Sequence, residues 1–104
     1  MRESQIEKHF CARVKEFGGE VRKVQWIGRR GAPDRRMMLP GYCCWVELKA
    51  PGKKLSAHQA REHARMQAQG EEVHTFWSTN TIDAFFDLLA SNKEEAWHVG
   101  PRAS

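Results

Sequence analysis

Ile6, Phe10, Val14 and Phe17 recur three and four positions apart, which sets one apolar stripe along a helix running from about Gln5 to Phe17. Gly18-Gly19 stops it, and Ser4-Gln5-Ile6-Glu7 at its head carries the serine and the glutamate of a capping box. Glu20 to Ile27 then reads as a first strand, with Val24 and Trp26 among its apolar residues. Gly28-Arg29-Arg30-Gly31-Ala32-Pro33 is expected to be a mobile, basic loop. From Asp34 the chain passes Met37-Met38-Leu39, meets Pro40-Gly41 and returns as Tyr42-Cys43-Cys44-Trp45-Val46-Glu47-Leu48-Lys49. A hairpin closed by a two-residue type II turn is predicted, because Pro and Gly stand where that turn wants them.

Ala50-Pro51-Gly52 ends the returning strand, and Ser56-Ala57-His58-Gln59 is a second capping box. It opens a helix from about Ala57 to Gln69, closed at Gly70, in which Ala60, Ala64 and Ala68 are expected to lie close to the sheet. Glu72 to Trp77 reads as a fourth strand, and strand, helix and strand in succession imply a right-handed crossover with parallel pairing. Thr79 or Thr81 opens a third helix that buries Ile82, Phe85, Phe86 and Leu89. Ser91 to Ser104 has no clear period and is expected to be a loose tail, docked in part through Trp97.

Composition narrows the class. At 104 residues, 40% hydrophobic and 29% charged, the chain has room for a single core, and with the helices and strands above one α/β domain over 1–104 is expected. No apolar run approaches the roughly 18 residues of a membrane span and no signal pattern begins the chain, so a cytoplasmic location is expected, the host-cell cytoplasm for a viral chain. Cys11, Cys43 and Cys44 have neither zinc nor disulfide spacing, and Cys43 and Cys44, on opposite faces of one strand, are read as small core or near-core residues. The five histidines, His9, His58, His63, His74 and His98, show no ligand spacing. Seventeen basic against thirteen acidic residues give a net charge of +4, a lean toward polyanions. Arg29, Arg30, Arg35, Arg36, Lys53 and Lys54 cluster around the hairpin and are the candidate DNA contacts, with a solvated rim as the alternative.

The hairpin also carries the candidate chemistry. If Leu39 opposes Tyr42, counting outward sets Asp34 opposite Glu47, and like charges so paired destabilise a sheet unless a cation separates them. Lys49, two residues from Glu47, shares their face, while Val46 and Leu48 point into a core. Two carboxylates and an ammonium at one spot suit a hard divalent cation and phosphodiester hydrolysis, the cation polarising the phosphate and the lysine holding the attacking water or stabilising the transition state. A solvated Glu/Lys pair is the plain alternative.

Gly31-Ala32-Pro33-Asp34, Val46-Glu47-Leu48-Lys49-Ala50-Pro51-Gly52 and Leu55-Ser56-Ala57-His58-Gln59, in this order of elements, resemble the PD-(D/E)xK nuclease superfamily and specifically its virus-type replication-repair nuclease (VRR-NUC) domain. The resemblance covers nearly the whole chain up to about Leu89. It implies a restriction-endonuclease-like αβββαβ core with a mixed sheet flanked by helices. It implies that Asp34, Glu47 and the backbone carbonyl of Leu48 hold Mg2+ or Mn2+, that Lys49 is the catalytic lysine, that Glu7 reaches the site from the first helix, in part through water, and that Gln59 orients the lysine, water or substrate. Glu7 and Gln59 also stand at the third position of their capping boxes, so a capping role remains open for both. Gly31 and Pro33 are read as shaping the loop.

Small stand-alone members resemble Holliday-junction resolvases, so the resemblance implies a homodimer acting on branched DNA, one site for each of two symmetric nicks. Helix three, the tail with Trp97, Met37 and Met38 are candidate dimer surfaces, with core packing as the other reading of the methionines. A nuclease for flaps, ends or duplex DNA, and a non-catalytic nucleic-acid-binding module, are the competing functions.

Overall fold

Four strands form one mixed sheet with a helix pair on one face and a single helix on the other, and the apolar pattern decides which face is which. The computed structural model describes residues 1–98. Its elements are α1 (Glu3–Glu16), β1 (Glu20–Lys23), β2 (Arg35–Leu39), β3 (Tyr42–Leu48), α2 (Ala57–Ala68), β4 (Val73–Phe76) and α3 (Thr79–His98). The strand order is β1-β2-β3-β4, antiparallel at the first two pairings and parallel between β3 and β4, as the crossover requires.

Met37, Cys44, Val46, Leu48 and Phe76 project from one face and are buried against Ile6, Phe10 and Val14 of α1 and Ile82 and Phe86 of α3. Phe10 and Phe86 stand with ring centroids 6.2 Å apart at the centre. Full burial of such side chains is worth about 1.5–3 kcal/mol each. Salt bridges from Arg13 to Asp83 and Asp87, and from His9 to Asp83 at 2.7 Å, bind α1 to α3 beyond the core. Met37 is core and Met38 is 38% exposed; Cys44 is buried, whereas Cys43 is exposed rather than near the core.

Several boundaries differ from expectation. The first helix is capped at Arg2, whose N–H donates to Gln5 Oε1 at 2.7 Å, so Ser4 and Glu7 do not form the expected capping box. β1 ends at Lys23 instead of Ile27, because the Trp26 indole N–H turns away to Glu62 on α2, 2.9 Å distant. α3 starts at Thr79 with Ser78 accepting the Thr81 N–H, and it continues through His98, past the expected onset of a tail at Ser91. The docking of Trp97 and residues 99–104 lie outside what is described. Among the described residues no helix is long and apolar enough to cross a membrane.

α2 corrects the sequence reading most. Ala60, Ala64 and Ala68 are exposed, and the buried residues of the helix are Glu62 and His63. α2 therefore meets the sheet with a polar side, opposite the core face, where Trp45, Glu47 and Lys49 project by strand alternation. The carboxylates of the hairpin lie under that helix.

Candidate active site

The hairpin register is as counted from the turn. Leu39 pairs with Tyr42 and Arg35 with Val46, which sets Asp34 against Glu47 at the open end, and Gly41 has the positive φ of +80° expected at the second central position of a type II turn. The hydrogen-bonding directions sharpen this. Asp34 turns its carbonyl outward to Val24, while Trp45 and Lys49 give their N–H groups to β4-side carbonyls of Glu72 and Phe76, so Glu47 between them also faces β4. Asp34 and Glu47 are thus a non-hydrogen-bonded antiparallel pair, the kind whose side chains come closest. By the same alternation the backbone of Leu48 faces away from β4, toward Asp34.

Each carboxylate has one oxygen engaged and one left over. Asp34 Oδ2 is 2.7 Å from Arg35 Nη1, and Glu47 Oε2 accepts from Gln59 Nε2 at 3.3 Å with Lys49 Nζ 3.7 Å away. Asp34 Oδ1 and Glu47 Oε1 are buried with no hydrogen-bond partner. Burial first, then the charge of Glu47, pushes the Asp34 carboxyl up to about 7, and burial likewise raises Glu47. Two unpartnered carboxylate oxygens whose ionised forms are held at a disadvantage fit a hard cation that completes its shell with water and phosphate oxygens. Among the described residues no group of three or more His, Cys, Asp or Glu is placed to hold a metal ion.

Glu7 and Gln59 resolve differently. Glu7 is free of capping; it accepts from Arg35, which in turn braces Asp34, and Lys23 Nζ lies 4.0 Å away. Its tie to the carboxylate pair runs through that guanidinium. Gln59 does both jobs, its Oε1 accepting the Ser56 N–H at 2.9 Å and its Nε2 serving Glu47.

The expected DNA contacts divide. Arg35 is a correction: its side chain is 7% exposed and committed to Glu7 and Asp34, so it is an internal strut. Arg36 lies over the Trp45 ring, 4.4 Å from its centroid. Arg29 is 3.1 Å from Glu62, Arg30 is 3.3 Å from His58 Nε2, and Lys53 and Lys54 are exposed, with Trp77 Nε1 donating to the Lys53 carbonyl at 2.6 Å.

The segment 24–33 is pinned to α2 rather than free. Trp26 and Arg29 both reach the buried Glu62, Arg30 meets His58, and a Cβ on Gly31 would stand 2.2 Å from the His58 carbonyl oxygen. That close approach, with φ at +93°, admits only glycine and delivers Pro33 and Asp34 to the sheet. Glu62 holds the clamp: burial raises its pKa, but hydrogen bonds from Arg65 and Trp26 and the charge of Arg29 bring it below its ordinary value.

Three residues near the carboxylates escaped the sequence reading. Besides Glu62, Glu3 lies one turn before Glu7 and its charge raises both Asp34 and Glu47; the i, i+4 spacing was the available signal. His63 lies one turn beyond Gln59, buried, with Nε2 unpartnered; burial lowers its pKa. Its i, i+4 relation to Gln59, rather than to another histidine, marks it.

Comparison with known proteins bears on the family and the fold. The chain is 49% identical over 74 residues to the protein named Putative nuclease p44 of Acyrthosiphon pisum secondary endosymbiont phage 1, spanning 70% of this chain and 80% of that protein. It superposes on a solved VRR_NUC domain with a TM-score of 0.76 and 36% identity, over 82% of this chain and 94% of that one. No family model matches the sequence. With the αβββαβ order, the mixed sheet and these relatives in agreement, the chain belongs to the VRR-NUC family of nucleases.

Proposed function

We propose that this nuclease is a metal-dependent, structure-selective DNA endonuclease that resolves Holliday junctions as a homodimer. The observation that carries metal dependence is the pair of buried, unpartnered oxygens, Asp34 Oδ1 and Glu47 Oε1. Arg35 and Lys49 each serve only one oxygen of their carboxylate; leaving the other two oxygens buried and unpaired is costly, and one divalent cation, Mg2+ or Mn2+, would offset that cost. Asp34, Glu47 and the Leu48 carbonyl would hold it, while Glu7 acts on the site through Arg35. When bound, it supplies Lewis-acid polarisation of a phosphate oxygen.

The chain's own groups do the rest. Lys49, 19% exposed and 3.7 Å from Glu47, presents its ammonium where negative charge builds on the phosphate. Gln59 keeps the Glu47 carboxylate oriented by its amide donor. Lys53 and Lys54 neutralise backbone phosphates, and two sites on a two-fold dimer match two symmetric nicks. A binding-only module needs Asp34 and Glu47 as surface charges, and the 3% exposure of Glu47 favours the enzyme.

Labelled four-way junctions, flaps and linear duplexes incubated with Mg2+ or Mn2+ test this. Paired symmetric cuts on junctions, lost in Asp34→Asn and Lys49→Ala while binding persists, are the expected result. Cleavage that survives both substitutions or full chelation overturns the metal-site reading, and equal cutting of linear duplex overturns junction selectivity.

A further inference from the structure

We propose that Ile27 is an apolar wedge that enters the base stack of DNA close to the strand being cut, a role that rests on the DNA-endonuclease reading above. Ile27 is fully exposed, and the residues on either side of Ile27-Gly28 are fastened to one point. Trp26 Nε1 donates to Glu62 Oε2 at 2.9 Å, and Arg29 Nε lies 3.1 Å from Glu62 Oε1. Gly28, at φ +75°, lets the chain reverse between them. Glu62 is itself buried and held by Arg65 at 3.0 Å. An aliphatic side chain thus stands at the apex of a tight loop whose two legs share a buried anchor.

Its surroundings favour nucleic acid as the occupant. Arg29 and Arg30 follow the apex, and Lys23, 80% exposed, ends the strand before it. Cations that grip phosphates beside an Ile, Leu, Met or Phe tip form the pattern by which proteins part a base step. The position also fits. Glu62 is three residues along α2 from Gln59, a rise of about 5 Å, and Gln59 touches the catalytic carboxylate Glu47. The loop's anchor and the group that touches Glu47 are thus carried by the same turn of α2.

Beside the wedge is a place for what it displaces. An open groove of about 530 Å³ runs along α2, lined by Trp26, Trp45, Arg29 and Arg65 among others. Indole and guanidinium groups in such a groove suit an unstacked base. A second protein copy is the poorer occupant, because a stable interface covers about 800 Å² per partner and a single apex among charges offers far less. Bases at a branch point are already partly unstacked, so the wedge favours branched over continuous duplex DNA.

The test uses the full chain with Lys49→Ala, which is expected to bind without cutting, and a four-way junction carrying 2-aminopurine one or two steps from the cut. Binding should raise the fluorescence severalfold, and adding Ile27→Ser should abolish the rise, with Ile27→Leu restoring it. In the otherwise unaltered protein, Ile27→Ser should slow junction cleavage about tenfold with Tm unchanged, since the side chain contacts only solvent. Equal fluorescence and equal rates for Ile27→Ser overturn the wedge while the nuclease reading stands. Unchanged cleavage with a shift from dimer to monomer in sedimentation reassigns Ile27 to a protein contact and also overturns it. If the unaltered protein cuts no DNA, the endonuclease reading fails and the wedge falls with it.

Discussion

Gln59 donates its side-chain N–H to Glu47 Oε2 across 3.3 Å, joining the head of α2 to β3, an inner strand of the sheet, at the face that carries the carboxylate pair. The other end of the same amide caps the helix at Ser56, 2.9 Å away. The two functions should separate by substitution. Gln59→Glu keeps the capping acceptor but sets a third carboxylate against Glu47, so cleavage is expected to fall at least about a hundredfold with helix stability nearly intact. Gln59→Ala loses both, with a stability cost of about 1 kcal/mol from the cap. Thermal melts and single-turnover cleavage of the two variants check this.

The pH dependence follows from the carboxylate pair. Asp34 is raised to about 7 by burial and by Glu47, against an unfolded value of about 4. Between those values the folded chain holds more protons than the unfolded one, so the pair's contribution to stability declines as pH rises from about 4 to 7 and is flat beyond. Melts in chelator across that window should show the decline, and Asp34→Asn should flatten it and raise the metal-free Tm by a few degrees. Mg2+ should raise the Tm of the unaltered protein more near pH 8 than near pH 5, and leave Asp34→Asn almost unmoved.

Gly31→Ala should dislodge the loop. Its Cβ would meet the His58 carbonyl oxygen at 2.2 Å and the Glu62 Cβ at 2.9 Å, in a backbone conformation that alanine resists. Since the nearest atoms are backbone, relief requires the segment 24–33 to lift off α2. A loss of about 2–3 kcal/mol is expected, with faster amide hydrogen exchange in residues 24–33 and a large fall in cleavage as Asp34 is misplaced.

Arg35 and the two loop lysines should behave in opposite ways. Arg35→Ala strips the partner from Glu7 and Asp34 at a buried position, and denaturant melts should show a loss of about 3 kcal/mol. Lys53→Ala and Lys54→Ala should leave the melt unchanged and weaken junction binding, each reducing the salt slope of log K by about 1. Titrations at several salt concentrations distinguish a strut from a phosphate contact.

Much of this protein was legible along the chain, and the reason is locality. A two-residue Pro-Gly turn and a side-chain period of two leave one pairing for Asp34 and Glu47, and the spacings of Ile6, Phe10 and Val14 and of Ile82 and Phe86 name the core faces of α1 and α3. The strand, helix, strand order likewise required the parallel pairing of β3 with β4. Contacts distant in sequence decided the remainder. α2 turns Gln59, Glu62 and His63 inward and leaves its alanines outside because Glu47, Trp26 and Arg29 wait to satisfy the polar groups, and no periodicity within α2 encodes partners on other elements. The same physics shortened β1, drew Arg35 inside between Glu7 and Asp34, and fixed a loop that its glycines and arginines had marked as mobile. Apolar burial is read from spacing because it is non-directional, whereas a buried charge settles only where a specific distant donor meets it.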